Sequence, residues 1–123
     1  TAELAKLAGD AMKDESVICA EAGGVEGEQK VGMDKFRADF KAKFNADVQV
    51  YAPYVYDAVK VMATAMVNAG SADPAKYLPA LKSITYKGVT GDIAFDEKGD
   101  IKNGALTLFT YKGGERSQIA VVR

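Results

Sequence analysis

Two strongly periodic helical stretches with a short β-prone run between them constrain this chain more than any other feature. Met33, Phe36, Phe40 and Phe44 fall on one helical face while Lys and Arg occupy the other. Val48-Gln49-Val50-Tyr51 then reads as a strand. "APYVYDAVKVMATAMVNAG" reads as the next helix, with Pro53 tolerated in its first turn and Gly70 stopping it. Its buried side is expected along Tyr54, Ala58, Met62, Ala65 and Ala69. Upstream, Leu4, Leu7, Ala8 and Ala11 stand at helical spacing. Residues 16–20 form a nearly all-apolar run suited to a strand covered on both faces. Alternating helices and strands in this half imply a parallel sheet with right-handed crossovers. At 123 residues the chain is read as a single structural unit.

The second half changes character. In "SADPAKYLPALKS" Asp73 is the expected N-cap and Pro74 the first helical residue of a short helix strained or ended near Pro79. "GVTGDIAFDEKGD", residues 88–100, follows. Residues 92–95 alternate as a strand, residues 96–99 form a turn in which Gly99 can take positive φ, and residues 105–111 alternate again, a hairpin-like unit. A last strand is expected over residues 117–122, after a turn at Gly113-Gly114. The expected class is α/β, a mostly parallel sheet with C-terminal antiparallel strands. No internal repeat or low-complexity segment is present.

Composition narrows the chemistry. Apolar residues make up 48% and charged ones 27%, with 16 basic against 17 acidic side chains. With a pI of about 5.4 and lysines dispersed among acids, nucleic acid is not an expected partner. No apolar run approaches the roughly 20 residues that span a bilayer, so the chain as given is expected to be soluble; Thr1 opens directly in a helical pattern, which is silent about export. Cys19, the one cysteine, excludes an intrachain disulfide and reads as a buried structural thiol. Without histidine, the usual metal clusters and the Ser-His or Cys-His arrangements of nucleophilic catalysis lose their support. Glu21, Glu26, Glu28 and Asp57 are candidates for carboxylate chemistry, though acids in a Gly-rich loop are more often solvated. The "AGGVEG" loop has neither the GxGxxG spacing nor a Walker lysine for a phosphate. No enzyme, cofactor or metal is expected. Tyr51, Tyr54 and Tyr56 flank a strand end and a helix start, where open α/β sheets place ligands. Tyr54 or Tyr56 is expected to face the core at helical spacing, and Tyr51 is freer to meet a ligand.

The order of a strand running into a "YDAV" helix, the "GSADPAKYLPAL" connection and then "GVTGDIAFDEKGD" resembles extracytoplasmic solute-binding proteins of the branched-chain amino-acid type. "ELAKLAGDAMKDESVICAEAG" and "FRADFKAKF" extend the resemblance over nearly the whole chain. It implies the C-terminal portion of a two-lobe, Rossmann-like periplasmic binding protein that closes over a free amino acid and hands it to an ABC permease. It also implies a periplasmic or other extracytoplasmic location. Residues 1–21 and 104–123 would belong to the second lobe and residues 25–103 to the first. "GVTGDIAFDEKGD" would be structural, the strand and turn before a crossing. The family's groups for the ligand's carboxylate and amino ends would lie mostly upstream of Thr1. What this sequence could supply is a wall made of Tyr51, Pro53 and Tyr54, with Glu21 and Ala22 at a crossing. A fragment of this kind would need the missing N-terminal half as a partner, or would self-associate. The alternative is an independently folding α/β interaction or assembly domain with no small-molecule ligand.

Overall fold

The computed structural model describes residues 3–23 and 27–123, apart from the side chains of residues 28 and 29. The chain divides into two units: residues 1–24 with 103–123, and residues 25–102.

The first unit is built on a three-stranded sheet in the order β1-β4-β5, from strands Cys19–Ala22, Leu106–Lys112 and Glu115–Val122. A short helix, α1 (Leu4–Ala8), and a 3-10 turn (Gly9–Ala11) precede it. β4 and β5 are a hairpin closed by Gly113 and Gly114, at φ 58° and 80°; two consecutive positive φ values are what a two-residue turn matched to strand twist requires. The ladder shifts register between Leu108 and Phe109, a bulge that leaves Ile119 without an opposite residue. β1 pairs antiparallel with β4, Cys19 opposite Phe109 and Glu21 opposite Thr107. The buried hydroxyls of Thr107 and Thr110 donate to the carbonyls of Gly23 (2.7 Å) and Val17 (2.9 Å), which ties down the chain on either side of β1. The expected strand over 16–20 therefore starts later, and it is an edge strand rather than one covered on both faces. Its residues alternate between half-buried and exposed, and Ile18 is 66% exposed. Cys19 is correspondingly half-buried, its thiol 3.8 Å from the Phe109 carbonyl oxygen, and not the buried thiol expected.

The second unit holds α2 (Glu28–Phe44), α3 (Ala52–Ala69), α4 (Pro74–Lys82) and a two-stranded ladder of β2 (Thr85–Lys87) with β3 (Asp92–Ala94). α2 ends at Asn45, which takes the left-handed conformation open to asparagine, and α3 ends at Gly70 in the same conformation. Asp73 caps α4 by accepting from the Ala75 N–H at 3.0 Å, with Pro74 at the first helical position. Pro79 does not end this helix, which runs on to Lys82: proline removes one N–H from the ladder, and the Ser83 hydroxyl shares the Pro79 and Ala80 carbonyls at the exit. Val61 and Ala65 of α3 pack with Ile84 and Ile93, and Leu81, Tyr86 and Phe95 close around them.

Three sequence expectations are corrected here. Residues 48–51 form no strand, since no described strand lies beside them to complete a ladder; instead they turn into α3, with the Ala52 N–H on the Gln49 carbonyl at 3.1 Å. All described pairings are antiparallel, and the parallel ladder inferred from helix–strand alternation is not among them. Residues 92–95 and 105–111 are not two arms of one hairpin: β3 pairs with β2 and β4 with β1 and β5. The turn between them is locally closed, since the Asp96 carboxylate accepts from the Lys98 and Asp100 N–H groups at 2.9 Å each, Phe95 bridges to Ile101, and Gly99 sits at φ 91°.

Candidate functional site

The first turn of α3 gathers three of the residues singled out from the sequence. Tyr51 is the N-cap residue and is 76% exposed, far outside the range of a core tyrosine. Pro53 is buried, and Tyr54 is half-buried beside it. Tyr56, the third tyrosine of the group, meets Phe36, ring centroids 5.0 Å apart, and the Lys60 ammonium lies 5.6 Å from its ring centre. The rings of Phe36, Phe40 and Phe44 continue this line along α2, bordering with Tyr56 and Ala52 a groove of ≈ 390 Å³.

The buried stripe of α3 is Pro53, Asp57, Val61 and Ala65; the expected line of Tyr54, Ala58, Met62, Ala65 and Ala69 shares Ala65 with it. The stripe is turned because it contains an acid, which a reading of apolar spacing assigns to the solvent side. Asp57 is 1% exposed. Its carboxylate accepts from the Val89 N–H at 3.0 Å, the Thr90 N–H at 2.8 Å and the Thr90 hydroxyl at 2.6 Å. A carboxylate so supplied with donors can remain buried, because the bonds replace its lost hydration. Gly88 makes the close approach possible: a Cβ there would lie 2.7 Å from the Asp57 carboxyl carbon. The "GVTG" that opens the 88–100 motif is thus the cradle of this aspartate. Beside it, burial, reinforced by the negative charge of Asp57 and by Tyr56, raises the Tyr86 phenol above its ordinary pKa.

Glu21 and Ala22 lie in the other unit, on β1. Ala22 is exposed. Glu21 is half-buried and ion-paired with Arg116 of β5, whose guanidinium lies 4.1 Å from the centre of the Phe109 ring. Arg116 was not foreseen; an arginine in an alternating strand carries no signal of its partner two strands away. Of the four carboxylates considered for chemistry, Glu21 and Asp57 are thus engaged by protein donors. Glu26 and the Glu28 side chain lie outside the described residues. Among the described residues no group of three or more His, Cys, Asp or Glu could hold a metal ion, and no helix is long and apolar enough to cross a membrane.

Residues 24–114 match the family model described as the receptor family ligand binding region. The chain belongs to this family. As a member of the receptor ligand-binding-region family it is 33% identical over 118 residues to the leucine-, isoleucine-, valine-, threonine- and alanine-binding protein of Pseudomonas aeruginosa, covering 95% of this chain and 31% of that protein. Among solved structures, a leucine binding protein from Thermotoga maritima matches 99% of this chain and 34% of its own with a TM-score of 0.78 at 24% identity. An ABC transporter substrate-binding protein from Desulfitobacterium hafniense, solved with leucine, matches 89% and 33% with a TM-score of 0.73 at 25% identity. The α/β architecture is therefore that of the solute-binding proteins, and the resemblance carried by the "YDAV" and "GVTGDIAFDEKGD" segments is shown. The chain spans about a third of the length of the relatives it matches.

Proposed function

We propose that this chain is the C-terminal portion of an extracytoplasmic receptor that captures leucine, isoleucine, valine or a related amino acid and delivers it to an ABC permease. The observation that carries the reading is the 33% identity, maintained over 95% of the chain, to a protein named for binding such amino acids. On this reading the unit of residues 25–102 belongs to the first lobe, and the unit formed by residues 1–24 and 103–123 to the second. The role is capture without chemistry, and the chain is not an enzyme. The receptor works outside the cytoplasm, where its permease can receive the ligand.

Tyr51, Pro53 and Tyr54 form an aromatic and apolar wall for the ligand side chain. The exposure of Tyr51 at the helix start supports this, since a large ring held in solvent by a rigid helix turn is available for contact. Glu21 and Ala22 mark a crossing between lobes. The pairing of Glu21 with Arg116 favours a structural part for that carboxylate, because a ligand ammonium would have to compete with a guanidinium already in place. Titration of the full-length polypeptide with leucine, isoleucine and valine by calorimetry tests the reading. Saturable one-to-one heat is expected with at least one of them, and absence of heat with all three overturns it in favour of an assembly domain.

A further inference from the structure

Asp57 is a buried acid that direct contact with ligand does not require: all its described bonds go to the loop between β2 and β3. The packing of α3 on Ile84 and Ile93 is already supplied by Val61 and Ala65, farther along the helix. What the carboxylate adds is a fixed relation between the start of α3 and residues 88–90. Pro53 precedes Asp57 by four residues on the same buried stripe, and Tyr54 by three, so both stand one helical turn above the carboxylate. The first turn of α3 cannot roll or slide without breaking charge-assisted bonds to two successive backbone N–H groups and to the Thr90 hydroxyl. Gly88 leaves no slack in this contact, since even a methyl group there would meet the carboxylate.

We propose that Asp57 is a positioning residue for ligand binding: by locking the first two turns of α3 to the Gly88–Thr90 cradle, it holds Tyr51 and Tyr54 in the orientation in which they meet the ligand. This rests on the assignment of Tyr51, Pro53 and Tyr54 to the ligand wall. The cradle presents two backbone N–H groups, which can only donate, and a hydroxyl that donates here, so it fits a carboxylate. Asparagine keeps the size but in either orientation turns its NH2 group toward a backbone N–H, leaving that buried donor unpaired.

The test uses the full-length polypeptide, with leucine as the probe. In Asp57→Asn, leucine affinity of the folded fraction is expected to fall about tenfold, and amide exchange at residues 55–58 to accelerate while residues 106–112 and 115–122 are unchanged. Thr90→Val, which removes one of the three bonds, should show the same two effects more weakly and stands in where Asp57→Asn fails to fold. Thr90→Ser, which keeps the hydroxyl, should restore wild-type affinity. A residue that only contributes stability would lower the melting temperature without altering the affinity of the molecules that remain folded. Unchanged affinity in that fraction, or unchanged exchange at 55–58, overturns the proposal. If the wild type takes up none of leucine, isoleucine and valine, the ligand-wall reading fails separately. The lock itself is then decided by exchange alone, faster exchange at 55–58 supporting it and unchanged exchange overturning it.

Discussion

At the scale of single residues, two tyrosines in the 25–102 unit show how placement decides what a phenol can do. Tyr51 stands in solvent at the start of α3 and is not among the buried residues of the Val61–Ile84–Ile93 core. In the full-length polypeptide Tyr51→Ala is expected to weaken leucine binding while shifting the melting temperature little; equal affinity after correction for folded fraction would remove it from the wall. Tyr86 is the opposite case. Its phenol is held neutral by burial and by the nearby Asp57 charge, so its pKa in the folded chain is above that in the unfolded chain. The stabilisation linked to this is fully present below the unfolded value of about 10 and is lost as pH rises through the folded value. Denaturant midpoints at pH 8 and pH 11 should therefore drop more for wild type than for Tyr86→Phe. Equal drops would show that Tyr86 does not carry the alkaline sensitivity. Gly88 permits a third check: Gly88→Ala pushes a methyl group into the Asp57 carboxylate and is expected to cost about 1–3 kcal/mol in chemical unfolding, with no loss indicating that the cradle relaxes.

At the scale of elements, what could be read in advance was whatever depends on near neighbours in sequence. The Asp73 cap, Pro74 at the first turn of α4, the Gly70 stop of α3 and the Gly113-Gly114 hairpin turn all rest on local stereochemistry, and the structure has each of them. Asp73→Ala should accordingly cost about 1 kcal/mol in thermal or denaturant unfolding, as expected for loss of an N-cap acceptor. Elements that depend on distant partners were read less well. Val48 to Tyr51 has the composition of a strand, but composition cannot supply a neighbouring ladder. β2, at three residues, is too short for alternation to register, and without it the sequence offers its partner β3 the wrong neighbour. The stripe of α3 was misplaced by its acid. Asp57 is visible in the sequence as a carboxylate, yet nothing within one helical turn of it reveals that residues 89 and 90, some thirty positions later, supply its donors. The proposed wall is local in sequence, one helix start from Tyr51 to Tyr54, whereas what packs beneath that helix is not.

At the scale of the whole molecule, α2 and α3 carry large apolar side chains at exposed positions, with Phe44 56% exposed and Val55 and Val59 similarly uncovered. A helix apolar on more than one side is a helix made to be covered on more than one side. The isolated 123-residue chain is therefore expected to associate in solution, and light scattering should return a mass above 13.1 kDa; a monodisperse monomer would favour the independent-domain reading. The arrangement of the sheet has a further consequence, for the order of events during synthesis. β1 leaves the ribosome ahead of residues 25–102, and β4, its ladder partner among the described residues, follows after the whole of them. Those intervening residues form a continuous stretch and can organise as they emerge, whereas β1 must wait for β4 until the loop between them is closed. Pulsed hydrogen exchange during refolding should show protection at Val61 and Ala65 ahead of protection at Cys19 to Ala22. β4 and β5 thus act as a completion signal for this unit: a nascent chain stopped anywhere in residues 25–102 presents quality-control proteases with β1 before the strand it pairs with here has been made.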